Sequence, residues 1–179
     1  MPLKRKYTKA DVQAAIDLAE GHRFSSFTTV WGGNDSHYQN VDIINPKTKL
    51  KIKTLSKYAP PANEAEKVSD DVGHTKRNHV KGSQGAEYAG KKSRYASIED
   101  CLQATTEALN SEQGQKALGM MDDDPAIRER KIRVATSGDW YGDAGDGASK
   151  KINDVTVILM RLGDETLWIH TSYPTGFVA

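Results

Sequence analysis

Two runs near the end of the chain decide the fold: Asn153-Asp154-Val155-Thr156-Val157-Ile158-Leu159-Met160-Arg161-Leu162 and Thr166-Leu167-Trp168-Ile169-His170-Thr171-Ser172-Tyr173. Both are rich in β-branched, aromatic and long apolar residues, which suit a pleated, half-buried surface. Gly163-Asp164 between them is a turn pair, so the two runs predict a β-hairpin. Upstream, residues 131–136 read as a further short strand. Residues 137–150, rich in Gly and Asp, read as a loop.

Helices come earlier. Thr8-Lys9-Ala10-Asp11 has the form of a capping box with Asp in the Glu/Gln place, ahead of Val12, Ala15, Ile16 and Leu18 at helical spacing, and Gly21 ends the pattern. Ser97-Ile98-Glu99-Asp100 opens a second helix through Cys101, Leu102, Ala104, Ala108 and Leu109. A third, over 111–120, is stopped by Asp122-Asp123-Asp124-Pro125. Between the first two helices, residues 24–31 predict a strand. Gly32-Gly33-Asn34-Asp35 predicts a turn, and 41–45 with 50–55 predict a hairpin about Asn45-Pro46-Lys47-Thr48. Lys49, Lys51 and Lys53 alternate with Leu50, Ile52 and Thr54. That comb reads as a charged edge that blocks strand-to-strand aggregation, with an RNA-facing edge as the alternative. Residues 56–71, with Pro60-Pro61, read as a linker or long loop. The expected division is therefore an N-terminal extension or entry/delivery module over 1–70 and a second domain over 71–179. The class is α+β: N-terminal helices with a C-terminal antiparallel sheet.

Composition removes several classes. At 179 residues the chain fits one compact domain or one domain with an extension. No window approaches the length of apolar sequence that spans a bilayer. The basic stretch 1–9 is followed by no apolar core, so no secretory signal peptide is expected. Cys101 is the one cysteine, which excludes an intrachain disulfide and a Cys-based zinc cage. Its place on an apolar helix face marks it as a small core residue. The net charge is +1, but the first 100 residues carry 17 basic and 12 acidic groups and the rest carry 8 and 12. A basic half can attract a polyanion.

Two segments could carry chemistry. His74-Thr75-Lys76-Arg77-Asn78-His79-Val80 puts two imidazoles and two cations close together. On a helix, a spacing of five sets the histidines on different faces. That predicts separate jobs and no shared metal, with His79 buried beside Val80 and His74 exposed. The neighbouring cations favour the neutral form of His74, the form that can act as a base. In the closing strand, a period of two sets Thr171 and Tyr173 on one face with Ile169, and His170 and Ser172 on the other with Trp168. Pro174 ends that strand at the sheet's rim. Taken singly, each segment also fits a purely structural role.

In order, Gly73-His74-Thr75 with His79-Val80, then Ser93-Arg94-Tyr95 running into Ser97-Ile98-Glu99-Asp100, then Thr171-Ser172-Tyr173-Pro174-Thr175, resembles the bacterial ribonuclease A-like toxin domains. These occur at the C-termini of contact-dependent-inhibition and related polymorphic toxins. The resemblance covers about residues 73–175. It implies a disulfide-free ribonuclease A-like fold and a metal-independent endoribonuclease without cofactors. It implies an active site of His74, Thr171, Tyr173 and a basic residue, Arg77 or Arg94, with Lys76, His79 and His170 as substrate-binding candidates. His170 departs from the family, which commonly has an apolar residue there. It could be an added acid or a cap on the outer face. The implied chemistry is attack of the RNA 2′-hydroxyl on phosphorus, with His74 as base and Tyr173, or alternatively His170, as acid, leaving a 2′,3′-cyclic phosphate. The implied partners are an RNA substrate, with tRNA as a candidate, and a cognate immunity protein. A monomer acting in the cytoplasm of a target cell is expected. Three alternatives stand beside this: a barnase/colicin-like tRNase toxin, a non-catalytic nucleic-acid-binding or phage accessory protein, and a metalloenzyme. The scattered His22, His37, His74, His79 and His170 give no HExxH spacing for the last.

Overall fold

The computed structural model describes residues 6–20, 28–32, 38–44, 51–58, 73–82, 92–124, 127, 129–161 and 167–179. It is an α+β arrangement in which helices pack on a curled antiparallel sheet. Helix α1, Lys9–Glu20, starts at the expected box. The Thr8 N–H and hydroxyl both donate to Asp11 Oδ2, at 2.9 and 3.0 Å, and the Asp11 N–H donates to Thr8 Oγ1 at 3.2 Å. Helix α2 is one turn, Thr75–His79. Helix α3, Ile98–Asn110, is capped by Ser97, whose Oγ accepts from Asp100 N at 3.1 Å. Helix α4, Glu112–Asp123, is capped by Ser111, whose Oγ accepts from Gly114 N at 3.0 Å. These side chains satisfy amide donors that a helix start otherwise leaves unpaired.

The main sheet is built on the long strand β7, Lys150–Arg161. Strand β8, Leu167–Phe177, runs antiparallel to it. Strands β5, Glu129–Ala135, and β6, Tyr141–Asp143, pair with successive parts of β7. The short β4, Arg94–Tyr95, adds to β6. The segment after α2 joins that edge: Val80 forms an isolated parallel bridge with Tyr95, and the Lys81 N–H donates to the Tyr95 carbonyl at 2.9 Å. The region 137–150, expected to be all loop, therefore contains β6, which the Gly and Asp content concealed.

The core follows the apolar pattern. Val12 and Ile16 of α1, Leu109 of α3, and Leu118 and Met121 of α4 meet Val155, Val157 and Leu159 of β7 and Ile169 of β8. All nine are inaccessible to solvent. Cys101 lies in the same cluster, as its helix face predicted, and burial pushes its thiol up to about 12. One polar bolt crosses the core: the hydroxyls of Tyr95 and Thr105 each share a hydrogen bond with Ser172 Oγ, at 2.8 and 2.7 Å. It ties β4, α3 and β8 together in a place where an unpaired hydroxyl would be costly.

The chain leaves α1 at Glu20 and returns to the same spot at Gly73, whose N–H donates to the Ala19 carbonyl at 3.0 Å. Only glycine allows that approach, since a Cβ at residue 73 would stand 2.6 Å from Ala19 Cβ. Helix α1 thus shares the core of the residues after 73. The excursion carries its own sheet, β1, Thr28–Gly32, β2, Tyr38–Ile44, and β3, Lys51–Tyr58, in the order β1-β2-β3. The predicted hairpin is β2–β3, longer than expected at its open end, where Tyr38 pairs with Tyr58. The expected linker begins later, because Ser56–Tyr58 are strand. The rest of it, the turns at 33–35, 45–48 and 163–164, and the facing of the lysine comb lie outside what is described.

Candidate active site

The three sequence segments singled out above converge. Thr75 Oγ1 accepts from the Ser172 N–H at 3.0 Å, joining α2 to β8. The His79 ring donates from Nδ1 to the Ser93 carbonyl at 2.7 Å, joining α2 to the strand before α3. Tyr95 reaches Ser172 through the core. Residues almost a hundred positions apart in the chain are therefore hydrogen-bonded neighbours.

Around this junction stand three imidazoles and a phenol. The His74 ring lies 5.8 Å from that of His79 and 4.9 Å, edge to face, from that of His170. The His79 ring stacks on Tyr173 at 5.0 Å, with 26° between the planes. The expectation that His74 and His79 occupy different faces of a helix is corrected. His74 precedes α2 with φ −148°, so the helical wheel does not apply to it, and both rings turn to one cluster. His79 borders both His74 and Tyr173.

Strand register explains His170. Ile169 pairs with Leu159 while Thr171 pairs with Ile158, so His170 is an extra residue on β8. Such a bulge shifts the alternation by one. Thr171 and Tyr173 still share a face, opposite Ile158 and Thr156, but Ile169 moves to the core side with Ser172. The carbonyl of His170 accepts from the His74 N–H at 2.9 Å, which sets the two rings side by side. Nothing in a period-two pattern announces a bulge, so its effect could not be read from the sequence.

His74 and His79 are both neutral at pH 7. Burial, then the neighbouring His170 and His79, and then Lys92 and Arg77, lower His74 to about 3. Burial lowers His79 to about 4, against the Ser93 hydrogen bond. The expected neutral His74 is present, but desolvation rather than the adjacent cations is the main cause. Lys92, which sequence reasoning missed, bears on both rings. No motif marks it, and only the fold brings it near.

The remaining candidates separate. Thr171 is 2% exposed, and its Oγ1 has no hydrogen-bond partner among the described residues. A buried, unpaired hydroxyl is expensive and calls for a ligand or an ordered water. Lys76 pairs with Asp17 of α1. The Arg77 amide donates to Glu20 Oε1 at 3.1 Å. Arg94 is 7% exposed and its Nη2 donates to Asp143 Oδ2 at 3.1 Å, while its Nε has no partner among the described residues. Among the described residues no group of three His, Cys, Asp or Glu side chains is placed to hold a metal ion, and no helix is long and apolar enough to cross a membrane.

No family model matches this chain, and no curated protein matches it. Among solved structures, the CdiA-CT/CdiI complex from Y. kristensenii 33638 is similar over 58% of this chain and 100% of that one, with 19% sequence identity and a TM-score of 0.43.

Proposed function

We propose that this chain is a metal-independent endoribonuclease of the ribonuclease A-like toxin kind. The observation that carries the proposal is the meeting of the three resembling segments around one cluster of His74, His79, His170 and Tyr173, beside the buried hydroxyl of Thr171, which has no hydrogen-bond partner among the described residues. A neutral imidazole is the form that removes a proton. His74 takes it from the 2′-hydroxyl, and the 2′-oxygen attacks phosphorus. A bound phosphodiester, being anionic, raises the basicity of His74 above its value in the empty site. Thr171 donates to a non-bridging oxygen, and the cations at Arg77 and Lys92 oppose the growing negative charge. Arg94 is assigned to holding β4 against β6 through Asp143. The 5′-oxygen leaves with a proton from a second group of the cluster, for which Tyr173 and His170 are the candidates, giving a 2′,3′-cyclic phosphate. An RNase toxin would kill its producer, so an immunity protein covering the cluster is the proposed partner, and the cytoplasm of a target cell the proposed place of action.

The test is incubation of the purified chain with total RNA and with tRNA, with and without chelator, beside His74→Ala. Cleavage that survives chelator, leaves cyclic phosphate ends and falls on the order of 10²–10⁴-fold in the variant is expected. Salt-sensitive binding without cleavage would replace the nuclease with a binding protein. Cleavage unaltered in His74→Ala would remove this site.

A further inference from the structure

The geometry points to His170, the bulged residue of β8, as the group that hands a proton to the leaving 5′-oxygen, making His74 and His170 one acid–base pair. The inference deepens the ribonuclease assignment and rests on it.

Three observations single His170 out. The first is its contact: it meets His74 ring to ring, edge to face at 4.9 Å, whereas the ring that Tyr173 meets belongs to His79. An acid and a base that serve one phosphorus must border the same space, within hydrogen-bond reach of the oxygens they serve. Tyr173 lies flat on an imidazole that is itself pinned by the Ser93 carbonyl.

The second is the backbone. The bulge takes His170 out of the regular alternation. Its carbonyl holds the amide of His74, so the residue that carries one ring also fixes the start of the residue that carries the other. Bulges recur next to active sites because they re-aim a side chain that the pleat would otherwise direct elsewhere. Here the re-aimed side chain is an imidazole placed against another imidazole.

The third is charge. Two imidazoles in contact oppose each other's protonation, and Lys92 and Arg77 add to that opposition at His74. That keeps His74 neutral, the form that accepts a proton. The step requires a neutral His74 and a proton on His170. The 2′-hydroxyl gives its proton to neutral His74. The 2′-oxygen bonds to phosphorus, the bond from phosphorus to the 5′-oxygen breaks, and that oxygen takes the proton of His170. One proton enters the pair and one leaves, so its charge is unchanged. Tyr173 and His79 then form the wall on which the substrate rests.

Leaving-group chemistry separates the acid from every other role. The assay compares dinucleoside phosphates with nucleoside 3′-(4-nitrophenyl phosphates) of all four bases. The aryl leaving group departs as a stable anion and needs no acid. His170→Asn and His170→Phe should lose about 10²–10⁴-fold on the dinucleotides and about threefold or less on the aryl substrates. His74→Ala should lose comparably on both. Tyr173→Phe should lower both in equal proportion. Circular dichroism melts confirm that each variant is folded, and the Asn variant keeps a polar side chain in case Phe does not pack. Equal losses on both substrates for both His170 variants, or no loss, would overturn the proposal. So would a leaving-group-selective loss in Tyr173→Phe. A wild-type chain that cleaves neither substrate overturns the ribonuclease assignment itself, which is a different outcome.

Discussion

Replacing Arg94 by Met separates a structural guanidinium from a catalytic one. Arg94 is 7% exposed and Asp143 2%. Nη2 of Arg94 meets Oδ2 of Asp143 at 3.1 Å, and Oδ1 of Asp143 accepts from the Gly145 N–H at 2.8 Å. Among the described residues, removing the cation leaves the buried carboxylate with one neutral donor. Breaking such a pair from one side costs about 3–5 kcal/mol. Among the described residues the contact is made through a single nitrogen, with Nε left over, which places the loss near the lower end. For a chain of this size each kcal/mol moves the melting temperature by roughly 2–4 °C, so a fall of roughly 6–12 °C is expected. The double variant Arg94→Met with Asp143→Leu removes the stranded charge and should recover part of that fall. It does not recover all of it, because the Gly145 amide then lacks its acceptor, a loss of about 1–3 kcal/mol. Thermal melts by circular dichroism at pH 7 measure all three proteins, with RNA cleavage assayed in parallel well below the melt. An Arg94→Met protein that melts with the wild type but has lost cleavage would refute the structural assignment and put this guanidinium on the phosphate.

Three further outcomes follow from the same geometry. His74 and His79 are lowered to about 3 and about 4 by burial, so between there and pH 6.5 the unfolded chain binds protons that the folded chain does not. Stability should therefore fall as pH drops through that window, by up to about 1.4 kcal/mol per pH unit per imidazole. Glu20, raised by burial, works in the opposite direction. A His79→Gln variant whose melting temperature keeps the full wild-type slope between pH 6.5 and 4.5 would contradict the assignment to His79. Glu107 accepts from the Ser137 amide and hydroxyl at 2.7 and 2.9 Å, from the Gly138 amide at 3.3 Å and from Trp140 Nε1 at 2.6 Å. Glu107→Gln should cost about 1.5–3 kcal/mol and raise amide exchange at 137–140, and unchanged exchange there would count against it. Because Gly73 returns to Ala19, replacing residues 22–71 by a linker of about four residues should leave the core folded, and about 2 kcal/mol more stable from the shorter closure alone. Loss of the cooperative melt would show that the excursion is part of the core.

Local pattern alone settled a good deal. The capping boxes at Thr8 and Ser97 and the apolar stripes of α1 and α3 emerge where the sequence placed them, because caps and periodicity act over a few residues. The two closing strands emerge too, but β7 begins at Lys150, inside the expected loop, and β8 does not end at Pro174 but runs through it to Phe177, paired with β7. The ordered trio of segments around His74, Ser93 and Thr171 was visible too. What the tertiary structure decided is which groups meet. The bulge at His170, the return of Gly73 to α1 and the approach of Lys92 all depend on contacts between residues distant in the chain. The same holds for Arg94, an apparent site cation that the fold pairs with Asp143, a residue the Gly-rich stretch gave no reason to bury. Spacing governs neighbours along one element. Pairing register and burial are set only when separate elements compete for the same interior, and here they decide which histidine faces which.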